Sequence, residues 1–216
     1  MDTPGVEFIK AHLAPLCDDL HDLFEDAGAR AARFRQQSGL TAAVYNSLGA
    51  DLTRGLAHRA IDDAGGLGPW ELTGDHSRRG QLMLRRDMVR LRFLHDSAGE
   101  VPAAGSNAAR QAYYRNTPLL PDSMFGVEDS NLIAVWRILD DETGEVGFRV
   151  VRTLDPGARR APHGVTNLDL DFSLPRTAPA LVGLEFSPVD DLELHINFGD
   201  EEGTGDADGD ASTGRA

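Results

Sequence analysis

Lysine is almost absent from this chain: of its 21 basic residues, all but Lys10 are arginine. With abundant alanine and glycine, this is the usage of a GC-rich coding sequence and points to an actinobacterial source. Arginine content is therefore partly codon bias, and a count of arginines alone argues for no function. Cysteine is equally scarce. The lone Cys17 excludes an internal disulfide and any cysteine-based zinc site. No run approaches the ~18 apolar residues that a membrane-spanning helix needs. The opening Met1-Asp2-Thr3-Pro4 lacks the basic and apolar regions of a signal peptide. These absences make a cytoplasmic protein without a membrane partner the expectation. Catalytic signatures are missing as well, since G-x-S-x-G, Walker A, H-E-x-x-H and G-x-G-x-x-G do not occur. No cofactor is expected, and no enzyme class follows from motifs.

What is present fits one ordinary domain of 216 residues with 41% hydrophobic side chains, enough for a sizeable core. The net charge of −14 is unevenly spread: residues 1–63 carry −4, residues 64–153 carry −1 and residues 154–216 carry −9. An acidic surface disfavours broad nucleic-acid binding, which depends on neutralising phosphates. A local basic site remains compatible with it. Residues 199–216 hold six acidic groups, one arginine and no large apolar side chain, so an acidic, disordered tail is expected there. Within that tail Asp206, Asp208 and Asp210 do not make a calcium loop, because the required sixth-position glycine is Ala211.

The pattern predicts an α+β fold: an N-terminal helical hairpin layer over residues 1–64, packed on a largely antiparallel, hairpin-built sheet with one short helix over 65–198. Ile9, Leu13, Leu16, Leu20, Leu23, Ala27, Ala31 and Phe34 recur at helical steps and predict helices over 5–14 and 16–37, divided at Pro15. A further helix is expected over 41–63, capped by Thr41, with Val44, Leu48, Leu52, Leu56 and Ala60 as its buried stripe. The period then drops to two. Strand 70–73 precedes a hairpin of 81–86 with 89–94, turned at Asp87-Met88. A short helix over 106–115, capped by Ser106, separates it from a second hairpin of 132–139 with 145–154. Strands are also expected over 166–174, 181–186 and 191–198.

The arginine strand pair is the leading candidate site. A two-residue turn at Asp87-Met88 sets Arg85 across from Arg90 and Met83 across from Arg92, all opposite Leu82, Leu84, Leu91 and Phe93. Like charges so placed repel, which is easiest to understand if an anion or acidic side chain sits among them. Arg78 and Arg79 in the preceding loop would add to the site. Asn107, Arg110, Gln111 and Tyr114 share one face of the following helix and would close over it. The competing reading is an exposed sheet face paired with the chain's own carboxylates. Asp169 and Asp171 with Glu193 and His195 form a weaker candidate, a divalent-metal set if their two strands are neighbours, which would make the protein a metal-dependent enzyme. Cys17 reads as a buried apolar residue, and His21 and His58 as surface residues.

The order helix, three strands, helix, strands is that of a restriction-endonuclease-like core, an analogy of topology alone. Such nucleases hold magnesium with carboxylates, whereas Val89-Arg90-Leu91-Arg92-Phe93 has none. A degenerate nucleic-acid-binding relative is the form this analogy leaves open. Residues 33–154 also resemble a group of bacterial proteins from mobile elements and phage-related loci. The resemblance rests on Arg90 and Arg92, on Asn107, Gln111 and the aromatic at Tyr114, on Leu119-Leu120-Pro121, and on the hairpin over 132–154. It implies a non-enzymatic regulatory protein of a toxin–antitoxin-like locus. Its partner would be a helix-turn-helix regulator fused to an ImmA-like metallopeptidase.

Overall fold

Pro15 divides the N-terminal helical run because it lacks an N–H and crowds the preceding turn. Helix α1 spans Pro4–Leu13, a 3₁₀ turn covers Ala14–Leu16, and α2 continues over Cys17–Gln37. The computed structural model describes residues 4–40, 44–77, 80–96, 98–119, 129–157, 164–165 and 167–184. Helix α3 is Asn46–Ala64 and ends on Gly65, whose φ of 74° is the left-handed conformation that glycine supplies at a helix C-terminus. The strands are β1 Glu71–Thr73, β2 Met83–Arg86, β3 Val89–His95, β4 Ser130–Ile138, β5 Val146–Thr153 and β6 Leu168–Ser173. Helix α4, Ala108–Tyr114, lies between β3 and β4, and α5, Ala178–Val182, follows β6.

The six strands lie in sequence order across one sheet, and every neighbouring pair is antiparallel except β3 with β4. That single parallel step needs a crossover, and the connection carrying α4 supplies it. The fold is therefore α+β, as the change of period predicts. No described helix is long and apolar enough to cross a membrane.

The crossover gives the sheet two unequal faces. On the inner face Leu84, Leu91, Phe93, Leu132, Trp136, Phe148 and Val150 pack under α1, α2 and α5. Phe24 is the central plug, with ring centroids 5.0 Å from Phe148, 5.2 Å from Trp136 and 5.6 Å from Phe93. Burying such a ring contributes roughly 1.5–3 kcal/mol. On the outer face a smaller group forms under α4: Val101, Ala104, Tyr114, Ile133, Val135, Val151 and Val165.

Two helical stripes differ from their predicted registers. In α2, Phe24 and Arg35 are buried while Phe34 is half exposed, because a stripe stepping through 20, 24, 27, 31 and 35 follows the 3.6-residue period more closely. Arg35 reaches the β4–β5 turn, donating to both the backbone oxygen and Oδ1 of Asp141 at 3.1 and 2.8 Å. The same turn presses Gly144 onto Gly28, where an added Cβ on either would come within 2.1 Å of the other's backbone. In α3 the buried line is Ala50, Thr53, Ala57 and Ile61, while Leu48, Leu52, Leu56 and Ala60 are half-buried. Small residues let α3 approach α2 closely, and Gly49 lies against the Arg35 guanidinium. Helix α3 also starts later than expected: Val44 and Tyr45 precede it and are exposed, and Thr41 lies outside the described residues.

Three further expectations are corrected. Leu181 and Val182 are helical, not the start of a strand, because Thr177-Ala178-Pro179 sets a proline in a first turn, where it needs no N–H partner. His21 is buried rather than on the surface, its Nε2 3.1 Å from the Leu174 carbonyl and its ring edge-on to Phe148. Strand β6 does not keep simple alternation. Its register jumps from Arg152↔Leu170 to Thr153↔Leu168, leaving Asp169 as a bulge. The predicted strand 191–198 and the tail 199–216 lie outside the described residues.

Candidate functional site

The β2–β3 hairpin has the register that alternation predicts, with Arg85 across from Arg90 and Met83 across from Arg92. Asp87 takes a φ of 53° in its turn, a conformation aspartate tolerates better than most residues. The three arginines meet different fates. Arg85 is exposed and donates from Nε to the Asp87 carbonyl at 3.3 Å. Arg90 pairs with Asp129 at 3.1 Å. Arg92 turns into a cleft between the sheet and α4, with no described carboxylate paired to it.

That cleft has a volume of about 1260 Å³. Its walls are α3 (Ser47, Ala50, Asp51, Arg54), the β1–β2 loop (Ser77, Gly80, Gln81), the end of β3 and the segment from Pro102 into α4. The β2–β3 ladder ends where the Phe93 N–H donates to the Leu82 carbonyl at 3.0 Å, and β3 runs on to His95 beside β4 alone, so the open end of the β3 edge forms the floor.

Helix α4 points Arg110 into this cleft beside Arg92. The cap is Asn107 rather than Ser106: its Oδ1 accepts from the Arg110 N–H at 3.0 Å. The helix then divides its side chains between two jobs. Arg110 and Tyr113, one turn apart, line the cleft. Gln111 and Tyr114 hold the helix down, donating to the Gly105 carbonyl and the Pro102 carbonyl, each at 2.7 Å. Tyr113 Oη sits 2.8 Å from the Leu132 carbonyl and 3.0 Å from that of Arg90, straddling the parallel β3–β4 pair. Burial pushes its phenol well above the usual range, so it stays a neutral donor.

Electrostatics separate this cleft from the rest of the surface. The Arg92 guanidinium is lowered from its ordinary pKa, first by burial and then by Arg110 beside it. Nε of Arg92 and Nε of Arg110 are both buried without a hydrogen-bond partner. Two guanidinium groups are thus held side by side, partly desolvated and uncompensated, which is unfavourable unless an anion joins them. At the other end of the cleft Arg54 is compensated, donating to Asp51 Oδ1 at 2.6 Å. Gly80 allows the β1–β2 loop to approach it: its φ is +64°, and an added Cβ would meet the Arg54 guanidinium at 2.8 Å. His95 lies against Trp136 with ring centroids 4.7 Å apart, its pKa lowered mainly by burial.

Of the residues singled out in the sequence, Arg92, Asn107 and Arg110 meet at the cleft. Arg85 and Arg90 point elsewhere, Gln111 and Tyr114 act as supports, and Arg78 and Arg79 lie outside the described residues. Arg54, Asp51, Gln81, His95 and Tyr113 carried no signal. Asp51 and Arg54 look like an ordinary helical ion pair, and Tyr113 differs from Tyr114 only by the phase of a short helix.

The candidate metal set does not assemble among the described residues. The bulge turns Asp169 onto buried Arg152, with Oδ2 2.5 Å from Nη1, while Asp171 binds half-buried Arg149 through two hydrogen bonds of 2.7 Å. Burial raises the Asp169 pKa, with Arg152 pulling it the other way. Glu193 and His195 lie outside the described residues, and no group of three or more metal-ligating side chains occurs among those described. Cys17 is fully buried, and burial, aided by Asp18, pushes its thiol up to about 11, which suits an apolar filler rather than a nucleophile. No family profile, curated protein or solved structure matches this chain, so the resemblance described above rests on its quoted residues alone.

Proposed function

We propose that this protein is a regulatory binding protein that takes a phosphate-bearing group into the cleft between Arg92 and Arg110. The carrying observation is the pair of partly desolvated guanidiniums whose buried Nε atoms have no partner. A planar guanidinium pair offers parallel N–H donors that match the oxygens of phosphate or carboxylate. The setting, association with a DNA-binding regulator, follows from the resemblance alone. The second reading, a nucleic-acid-binding effector, is disfavoured by the charge of −14.

Arg92→Met tests the reading because it keeps the unbranched stem of the side chain and removes the charged head. In calorimetric titration with inorganic phosphate at constant ionic strength, the variant should lose at least tenfold in affinity. Its ligand-free stability should hold or rise by up to about 1 kcal/mol, since like-charge repulsion is relieved. Unchanged phosphate affinity, or a variant clearly less stable than the parent, would remove the proposal. Oligonucleotide binding that falls steeply with salt and is abolished by Arg92→Met would favour the second reading instead.

A further inference from the structure

The cleft is asymmetric in a way that specifies more than an anion. Among the described residues that line it, Arg92 and Arg110 have no carboxylate partner, whereas Arg54 at the other end is held by Asp51. One such point matches one compact dianion. A nucleic-acid backbone or an acidic peptide presents charges in a row and gains most from a row of cations. An acidic segment, including this chain's own residues 199–216, would also meet Asp51 at the far end.

The far end offers a different chemistry. Ser47 and Asp51 project from α3, while Ala50, Leu94, Pro102 and Ala104 supply apolar wall between the two ends. Ser77 and Gln81 of the β1–β2 loop are held within that loop, Ser77 Oγ on Asp75 and the Gln81 amide between the Asp75 N–H and Met83 Sδ. A hydroxyl and a carboxylate set together recognise hydroxyls, and a carboxylate accepts readily from a pair of them. The volume of about 1260 Å³ is also far beyond the need of an inorganic oxyanion. Sites for drug-sized ligands occupy roughly 300–1,000 Å³.

We infer that the ligand is a phosphate monoester with a hydroxyl-bearing body, the chemistry shared by sugar phosphates and mononucleotides. Its phosphate sits between Arg92 and Arg110, and its hydroxyls reach Asp51 and Ser47. This rests on the phosphate-binding reading above and adds the body of the ligand to it.

Calorimetric titrations with inorganic phosphate, ribose 5-phosphate, adenosine 5′-monophosphate and an octa-aspartate peptide separate the possibilities. At least one of the two esters should bind ten times more tightly than inorganic phosphate. Equal affinity for the two esters identifies a sugar phosphate as sufficient, and a further gain with the nucleotide identifies a base subsite. Asp51→Asn should shrink the ester preference at least fivefold, while inorganic phosphate binds as well or better because Arg54 loses its carboxylate. Ser47→Ala should shrink it in the same direction. Both positions are exposed on α3, so neither change disturbs the core. Esters that bind no better than inorganic phosphate overturn this inference and leave the phosphate site standing, as does an ester preference indifferent to Asp51→Asn. Tightest binding by the peptide overturns it in favour of an acidic partner. A protein that binds none of the four has lost both readings.

Discussion

The two faces of the sheet are built to opposite rules. On the inner face Phe24, Phe93, Trp136 and Phe148 interlock beneath three helices. The outer face is covered by one seven-residue helix and a few loop residues, and it leaves Arg92 and Arg110 half-buried side by side with no described carboxylate paired to them. An uncompensated pair of charges of one sign is a local destabilisation that the rest of the fold must offset. The inner face supplies the surplus, and the outer face holds an arrangement whose favourable energy arrives only with a ligand.

The sharpest way to break this comparison is to weaken the face said to supply the stability. Phe24→Ala removes the ring that meets three other aromatics and leaves a cavity in a site closed on all sides. A loss of about 3–5 kcal/mol is expected, read as the shift of a urea-unfolding midpoint at constant slope. The folded fraction should bind phosphate much as the parent does, since Phe24 does not line the cleft and meets it only through Phe93. A loss under about 1 kcal/mol would mean that the inner face is not the dominant core.

How much of this was legible beforehand follows the range of the interactions. The Arg85↔Arg90 register was readable because a two-residue turn and strict alternation are local facts. Which arginine is uncompensated was not, since it depends on Asp129 reaching Arg90 and α4 setting Arg110 beside Arg92. Helix α3 shows the same limit: its leucines looked like the buried stripe, yet Ala50, Thr53 and Ala57 face inward because they permit close approach to α2. Asp51 and Arg54 were thereby turned toward the cleft by a tertiary preference invisible in the helix itself. The bulge at Asp169 is a further case, since one extra residue reassigns a carboxylate from a wet face to a buried arginine. Long-range placement of polar groups, rather than the type of element, is where one-dimensional reading stopped.

A smaller effect sharpens the comparison from the outer side. Asn107→Ala removes the cap of α4, which costs about 1 kcal/mol at typical helix N-termini. Because α4 is short and carries Arg110, the loss should be felt locally. Amide exchange should speed up over residues 108–114 and leave α2 unchanged. Phosphate affinity should fall several-fold, less than for Arg92→Met. Uniformly faster exchange across the sheet would show that the two faces do not open independently.

The smallest expected effect is a dependence on pH. The His58 and His76 rings stack with centroids 3.7 Å apart, pinning the β1–β2 loop, and with it one wall of the cleft, onto α3. The His58 pKa lies below its ordinary 6.5, through burial first and His76 second, with Asp62 opposing. The folded state therefore prefers neutral His58 more strongly than the unfolded chain does. That preference contributes stability that is fully present above pH 6.5 and is lost as pH falls through the lowered value. His95 is lowered in the same direction, so only the difference between parent and variant isolates the stack. His58 is half exposed, and solvent screening keeps the effect to a fraction of a kcal/mol. Between pH 7.5 and 5.5 the melting temperature of the parent should fall slightly further than that of His58→Gln. Because the stack holds the β1–β2 loop and is not part of the inner core, exchange of residues 74–77 should rise with acidification before that of α2 or β4. Parallel pH profiles for parent and variant would place the acid sensitivity elsewhere in the fold.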